Sequence, residues 1–473
     1  MLNEVERPKS LEPRVRRTVT LTRSAAFSIA CLFLLLSTLT VLWFSWAVRQ
    51  ATSDSPRLGQ AARQFVLNAS YAGGLTRQAI MDVWASATSI PYPLLIPRDE
   101  IRKTVHFPAP DDSGYLLLSH LSREANQAIV RLIRISDGKV VAKWQPNFAA
   151  IHDIQNLDSK YKGPVSKLRS RANDPKLLLN GDIVYSTDGV LVRQSSCGPN
   201  VWMADGLFHH STEVAADGNI WASSINPNPF QDNLYLNKEV RDDALAEVSP
   251  DGKLLRNLSF SQILISNGYS GLLLGHSGEK FLSDPIHLND IQPALSTTKY
   301  WEKGDLLVSA RNLSTIFLYR PSTGKIFWSK TGPWINQHDV NFLSDTAISV
   351  FGNDVIQPLA VPPVFMNSGR SNRIYVYDFA QDSIATPGAE LMAEQQVRTA
   401  TEGRGQVLPD GGLFVEETNY GRLLRFRDGK LLWSLVNDYD EERVGMVSWS
   451  SYLTEDQARE PLAAIAAQHC GSH

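Results

Sequence analysis

Three histidine-bearing stretches hold the residues most able to do chemistry, and all three occupy one position in a repeat. "FHHSTEVAADGNIW" carries His209 and His210 ahead of a turn and a short apolar strand. "DPIHLNDIQPALSTTKYWEKGDLLVSARN" carries His287 and Asn289 ahead of another, with Arg311 at its far end, and "NQHDVNFLSDTAISVF" carries His338. One histidine at a strand start is ordinarily a hydrogen-bonded structural residue. Three placed alike, in a chain with 10 histidines in all, point to a shared site. Strict strand alternation sends His209 and His210 to opposite faces and favours His210. His106 lacks polar neighbours and is read as structural. His120, His152, His276 and His469 have no supporting context.

The residue types narrow the chemistry. Three imidazoles without a carboxylate cluster could hold zinc with one open position. Arg311 belongs to the same unit as His287, however, and a guanidinium beside a dication is repulsive. Arginine, histidine and asparagine together form a donor-rich cup for an oxyanion. Such a cup suits sulfuryl or phosphoryl transfer, where charge on the transferred oxygens must be stabilised. A neutral imidazole is also a competent nucleophile toward such a group. No metal is therefore expected, and a metal-dependent hydrolase is the alternative to test.

The elements that must position these residues read as strands. Turn residues followed by a short apolar strand recur near Gly114, Gly181, Gly218, Gly304, Asp345 and Gly412. A second unit, a hairpin turning on Gly-Lys, recurs in "LIRISDGKVVAKW", "LAEVSPDGKLLRNL", "IFLYRPSTGKIFW" and "LLRFRDGKLLW". Asp-Gly between alternating strands marks a hairpin. Strand–turn–strand units repeated every few tens of residues mark an all-β propeller, here of about six blades. In a blade, residues opening the innermost strand and closing the next lie at one mouth of the channel. Residues His210, His287, Arg311 and His338 are expected to converge there. A set of β-sandwiches is the competing architecture.

The chain has 473 residues and a formal net charge of −3, which gives no sign of nucleic-acid binding. It holds no Walker-type loop, no GxGxxG opening a helix and no CxxC, so phosphate-loop, dinucleotide and zinc-ribbon readings lose their support. Residues 24–48 contain no charge and are long enough to span the roughly 30 Å apolar core of a bilayer. Arg7, Lys9, Arg14, Arg16, Arg17 and Arg23 precede them, which keeps the N-terminus cytoplasmic and exports the rest. The apolar run exceeds that of a usual signal peptide, favouring an uncleaved anchor, although Ser45-Trp46-Ala47 is a passable cleavage site. The expected division is a basic cytoplasmic tail (1–23), a transmembrane helix (24–48), a membrane-proximal stalk (49–100) and the propeller (101–473). The propeller is expected in the periplasm or outside the cell, held on the inner membrane by a single pass. Of the three cysteines, Cys31 lies in the apolar run. Cys197 and Cys470 lie on the exported side, where disulfides persist. Their pairing would tie the C-terminal tail onto the second unit, and two free thiols are the alternative.

The motifs "HHSTEVAADGNIW", "IHLNDI", "LLVSARNLSTIFLYRPSTGKIFW" and "QHDVNFLSDTAISVFGND" resemble, in order and spacing, those of the arylsulfotransferase family of bacterial exported propeller enzymes. "GRGQVLPDGGLFVEETN" resembles the family's last blade. The resemblance runs from about Phe208 to Trp433. It implies sulfate transfer from a phenolic sulfate ester to a phenol, with no nucleotide sulfate donor and no cofactor. By motif, His338 matches the histidine that is transiently sulfated. His210, His287, Asn289 and Arg311 match residues around the sulfuryl group, with His209 adjoining them. The contrasting reading is a non-catalytic, membrane-anchored propeller serving as a binding or assembly module in the cell envelope.

Overall fold

The computed structural model describes residues 23–51, 94–99, 101–153, 170–227, 241–275, 284–357 and 364–468. The basic tail before residue 23, most of the expected stalk, and His276, His469 and Cys470 lie outside the described residues. The chain divides into two compact units, Met1–Pro91 and Tyr92–His473. The first contains a helix, Arg23–Ala51, over the charge-free stretch. Its side chains are described only in part, and among the described residues no helix is long and apolar enough to cross a membrane.

The second unit is an all-β, propeller-like arrangement of antiparallel sheets. It begins before the expected boundary at residue 101: Leu95–Pro97, assigned to the stalk by sequence, pairs with Arg443–Gly445. Every turn motif named above leads directly into a strand, namely Tyr115–Ser122, Ile183–Thr187, Ile220–Ile225, Leu306–Ala310, Ala347–Gly352 and Leu413–Glu417. The Gly-Lys turns join the two outer strands, as Gly324 does between Thr315–Arg320 and Lys325–Thr331. Four sheets have four strands each. A seven-stranded sheet runs from Asn173–Leu177 to Leu254–Ser259. Within it the 15-residue strand Asn200–Val214 pairs with Gly189–Gln194 along its first part and with Ile220–Ile225 along its last.

The last strand, Ser451–Leu453, pairs with Tyr115–Ser122, so one sheet joins the C-terminal strand to three strands from early in the unit. Neighbouring sheets contact through their inner strands, and apolar side chains fill the space between them. One such layer, Trp301, Trp334, Val340, Ile348 and Tyr375 with their neighbours, separates the sheet of Arg311 from that of His338. The closing helix Glu455–Ala467 is N-capped by a Thr454–Gln457 capping box and lays Leu462 and Ile465 on the Ile183–Tyr185 cluster. The Gln468 Nε2 amide then donates to the Asn180 carbonyl at 2.9 Å, next to Cys197. Cys197 is disulfide-bonded and Cys31 is free.

Each inner strand opens with a residue in the left-handed region: Asp174 (φ 46°), His210 (55°), His287 (53°), Asp339 (45°), Gly403 (100°) and Trp449 (56°). Histidine and aspartate tolerate this backbone better than most side chains. Bulges accompany it, at His209/Thr212, Leu288/Asp290 and His338/Val340. A bulge leaves ladder N–H groups unpaired, and at these and the other inner-strand ends an acidic side chain from an earlier strand accepts a backbone N–H. Asp174 accepts Thr212 N (2.9 Å), Asp243 accepts Leu288 N (2.7 Å), Asp290 accepts Val340 N (2.7 Å), Asp339 accepts Gly405 N (3.0 Å) and Glu416 accepts Trp449 N (2.7 Å). These seams fix the ends of the inner strands against one another, where the histidines sit.

Candidate active site

The ends of three inner strands bring the imidazoles together. The His210 ring centroid is 5.0 Å from His287 and 6.3 Å from His338. His209 joins them, against the expectation from alternation. The left-handed turn at His210 and its bulge break the two-residue period, so both imidazoles fall in one cluster with Nδ1 atoms 2.7 Å apart. Arg311 opens a short 3₁₀ turn, its N–H donates to His287 O at 3.1 Å, and its charge acts on His338. Asn289 is fully buried. Its Nδ2 donates to Gln337 O at 2.7 Å, steadying the residue before His338, while its Oδ1 has no partner among the described residues.

The hydrogen bonds fix which nitrogen of each ring carries the proton. Asn353 donates through Nδ2 to the Thr399 and Glu402 carbonyls, at 3.1 and 2.7 Å, so its amide cannot be flipped. Its Oδ1 therefore accepts at 2.6 Å from His338 Nδ1–H, which leaves the lone pair on His338 Nε2. Burial, reinforced by Arg311, holds the His338 imidazole well below its ordinary pKa, so it is neutral. Arg241 donates to His209 Nε2 at 2.7 Å, so His209 carries its proton on Nδ1 and donates to His210 Nδ1. That leaves the proton of His210 on Nε2. His209 Nε2 also lies 3.4 Å from Asp243 Oδ1, but it cannot accept from Arg241 and donate to Asp243 at once. The shorter contact decides, because Arg241 Nε already occupies Asp243 Oδ1 at 2.6 Å. Burial depresses His209, with Arg241 adding to it, and burial depresses His210 further, helped by the other histidines. Burial would raise the Asp243 carboxyl, but the Arg241 charge, with the Leu288 N–H, holds it below its ordinary value.

His287 is held differently. Asp284 receives its Nδ1 at 2.5 Å and its backbone N–H at 3.1 Å. Burial opposes ionisation of Asp284, yet the bond to His287 keeps its carboxyl below the ordinary value. Beside this cluster lies a cavity of about 200 Å³, lined by Arg171, Asn173, His209, His210, Glu402 and Trp449. The Trp449 ring is 6.2 Å from His210 and 6.1 Å from His338. Beyond the histidines, along the inner strands, Arg404 binds Asp339 (2.9 Å), Asp174 (2.7 Å) and Ser451 Oγ (2.6 Å). Among the described residues no group of three or more histidine, cysteine or acidic side chains is arranged to hold a metal ion.

A profile of the arylsulfotransferase (ASST) family matches residues 177–438, more than half of the chain. The chain belongs to the arylsulfotransferase family. Membership supports sulfotransferase activity, with a sulfate donor and a sulfate acceptor as partners. The matched span contains every histidine of the cluster together with Arg311, Arg241, Asp284 and Asn353. No curated protein matches the chain. Among solved structures, a Bacteroides caccae protein of unknown function is similar at 15% identity and TM-score 0.45, over 73% of this chain and all of that one. The virginiamycin B lyase of Staphylococcus aureus is similar at 11% identity and TM-score 0.34, over 56% and 70%. The Neurospora crassa Pan2 WD40 domain is similar at 7% identity and TM-score 0.37, over 76% and 93%.

Sequence reasoning missed Arg241, Asp284, Asn353, Arg171, Glu402 and Trp449. Asp284 was within reach, three residues before His287 in "DPIH", as was Asn353 in "FGND" after the His338 strand. The others arrive from loops whose sequence carries no repeat signal.

Proposed function

We propose that this arylsulfotransferase moves sulfate from an aryl sulfate ester to a phenolic acceptor through a transient sulfohistidine at His338, without a nucleotide donor. The observation that carries the reading is the neutral His338 imidazole, its proton pinned on Nδ1 by Asn353, which leaves the lone pair on Nε2. Nε2 attacks sulfur, the bond from sulfur to the aryl oxygen breaks, and its electron pair leaves with the oxygen. His287, steadied by Asp284, gives that oxygen a proton and later takes one from the incoming phenol. The phenol oxygen then attacks sulfur and frees His338. Arg311 and the His210 Nε2–H stabilise the sulfuryl oxygens as charge redistributes. Donor and acceptor use the site in turn, so kinetics are ping-pong. The test is transfer from p-nitrophenyl sulfate with and without added phenol. Intersecting double-reciprocal plots, which mark a ternary complex, would count against the covalent route.

The seven-stranded sheet reads as two blades sharing the strand Asn200–Val214, which with the four four-stranded sheets makes six. The charge-free residues 24–48, within the helix Arg23–Ala51, and the basic residues before them support a single-pass inner-membrane anchor with the propeller exported. A reporter enzyme active only in the cytoplasm, fused to the C-terminus, is expected to be silent. An active fusion rejects that orientation.

A further inference from the structure

The cavity beside the histidines carries an ion pair that the sulfuryl chemistry leaves unused. Arg171 precedes the inner strand Asn173–Leu177, and Glu402 precedes Arg404–Val407, at the same strand ends as the histidines. Their side chains meet in a bidentate pair at 2.8 and 2.7 Å, each about one-fifth exposed (21% and 20%). Burial disfavours the Arg171 charge, but Glu402 most of all, with Glu416 and Asp188, keeps it charged. Trp449, whose ring also packs near the Arg404 guanidinium, lines the same cavity. A bulky residue at φ 56° is strained, and Glu416 holds it there by accepting the N–H groups of Trp449 and Ser450 at 2.7 and 2.6 Å. The indole is thus placed against its own backbone preference.

We infer that this cavity is the aryl subsite, with Trp449 as its platform, and that the Arg171–Glu402 pair selects single rings whose substituents carry no charge. The inference rests on the sulfotransfer reading above. At about 200 Å³ the cavity falls below the roughly 300–1,000 Å³ of pockets for drug-sized ligands, which leaves room for one ring. The pair decides the substituent. A ring carboxylate must displace Glu402 from Arg171 while standing beside it, and a ring ammonium meets Arg171. Like charges so placed are penalised. A methyl group disturbs neither partner and stacks on the indole.

The experiment compares p-cresol, p-hydroxybenzoate and tyramine as acceptors. Wild type is expected to favour p-cresol over both by about tenfold or more in kcat/KM. Glu402→Gln, which releases Arg171, is expected to raise the p-hydroxybenzoate to p-cresol ratio about tenfold. Arg171→Gln is expected to raise the tyramine to p-cresol ratio similarly. The same rings titrated calorimetrically into His338→Ala protein, alone and with each variant, read the subsite without transfer. Shifted binding ratios with no transfer by wild type from any aryl sulfate would uphold the subsite and defeat the transfer reading. Unchanged ratios in both variants, in catalysis and in binding, overturn the inference. Should Glu402→Gln not fold, Arg171→Gln carries the test alone.

Discussion

Asn353 does for His338 what a catalytic asparagine or carboxylate does for a nucleophile's base: it chooses the nitrogen. Its Nδ2 is committed to two carbonyls, so only its oxygen can face the imidazole. Asn353→Ala removes that constraint, and transfer is expected to fall about 10–100-fold, the usual cost of losing an orienting partner. Arg241→Met should cost a similar factor by unfixing the His209–His210 proton arrangement. His338→Ala should abolish turnover. The depressed His338 pKa also predicts a pH profile. An imidazole of ordinary pKa loses its lone pair as pH falls through 6.5. Because burial and Arg311 hold His338 well below that, the acid limb for the aryl sulfate should lie below 6.5. A limb at or above 6.5 would contradict the assignment.

At the scale of the elements, the seams between inner strands matter more than the strands themselves. Bulges open the three histidine strands, and an acidic side chain from an earlier strand takes up the N–H group at each seam. Arg404 ties three sheets at once through Asp339, Asp174 and Ser451. Arg404→Met leaves two buried carboxylates without their main partner, which should destabilise the protein by about 3–5 kcal/mol in urea unfolding. A loss under about 1 kcal/mol would mean that the network is dispensable. These seams also explain what the sequence made legible. Turns at Gly114, Gly181, Gly218, Gly304, Asp345 and Gly412 could be read because a type of turn has a local signature. The three histidine positions could be read because the repeat puts them in register. The joint placement of His209 and His210 could not, since it depends on a bulge and a left-handed residue that no alternation pattern predicts. Arg171 and Glu402 could not either, as they meet across 231 residues of chain.

For the whole molecule, burial of neutral histidines links stability to pH. His120 lies outside the active site, 5% exposed, with Nδ1 bonded to Asn437 Oδ1 at 2.9 Å. Burial lowers its pKa from 6.5 to about 4. The unfolded chain therefore takes up the proton first as pH falls, and stability drops between 6.5 and about 4. This group alone accounts for about 3 kcal/mol across that window. His209, His210 and His338 act in the same direction. Urea unfolding at a series of pH values should show the decline, and His120→Gln should make it shallower. A variant as acid-sensitive as wild type would remove His120 from the account.

The central claim is that His338 carries the sulfuryl group. It is tested most directly by mixing the protein with excess p-nitrophenyl sulfate and no acceptor, quenching in base and mapping the peptides by mass. The account predicts one equivalent of p-nitrophenol released in a burst and one sulfuryl group on the peptide containing His338, discharged when phenol is added before the quench. A burst with no modified peptide, or modification that persists in His338→Ala, would contradict it.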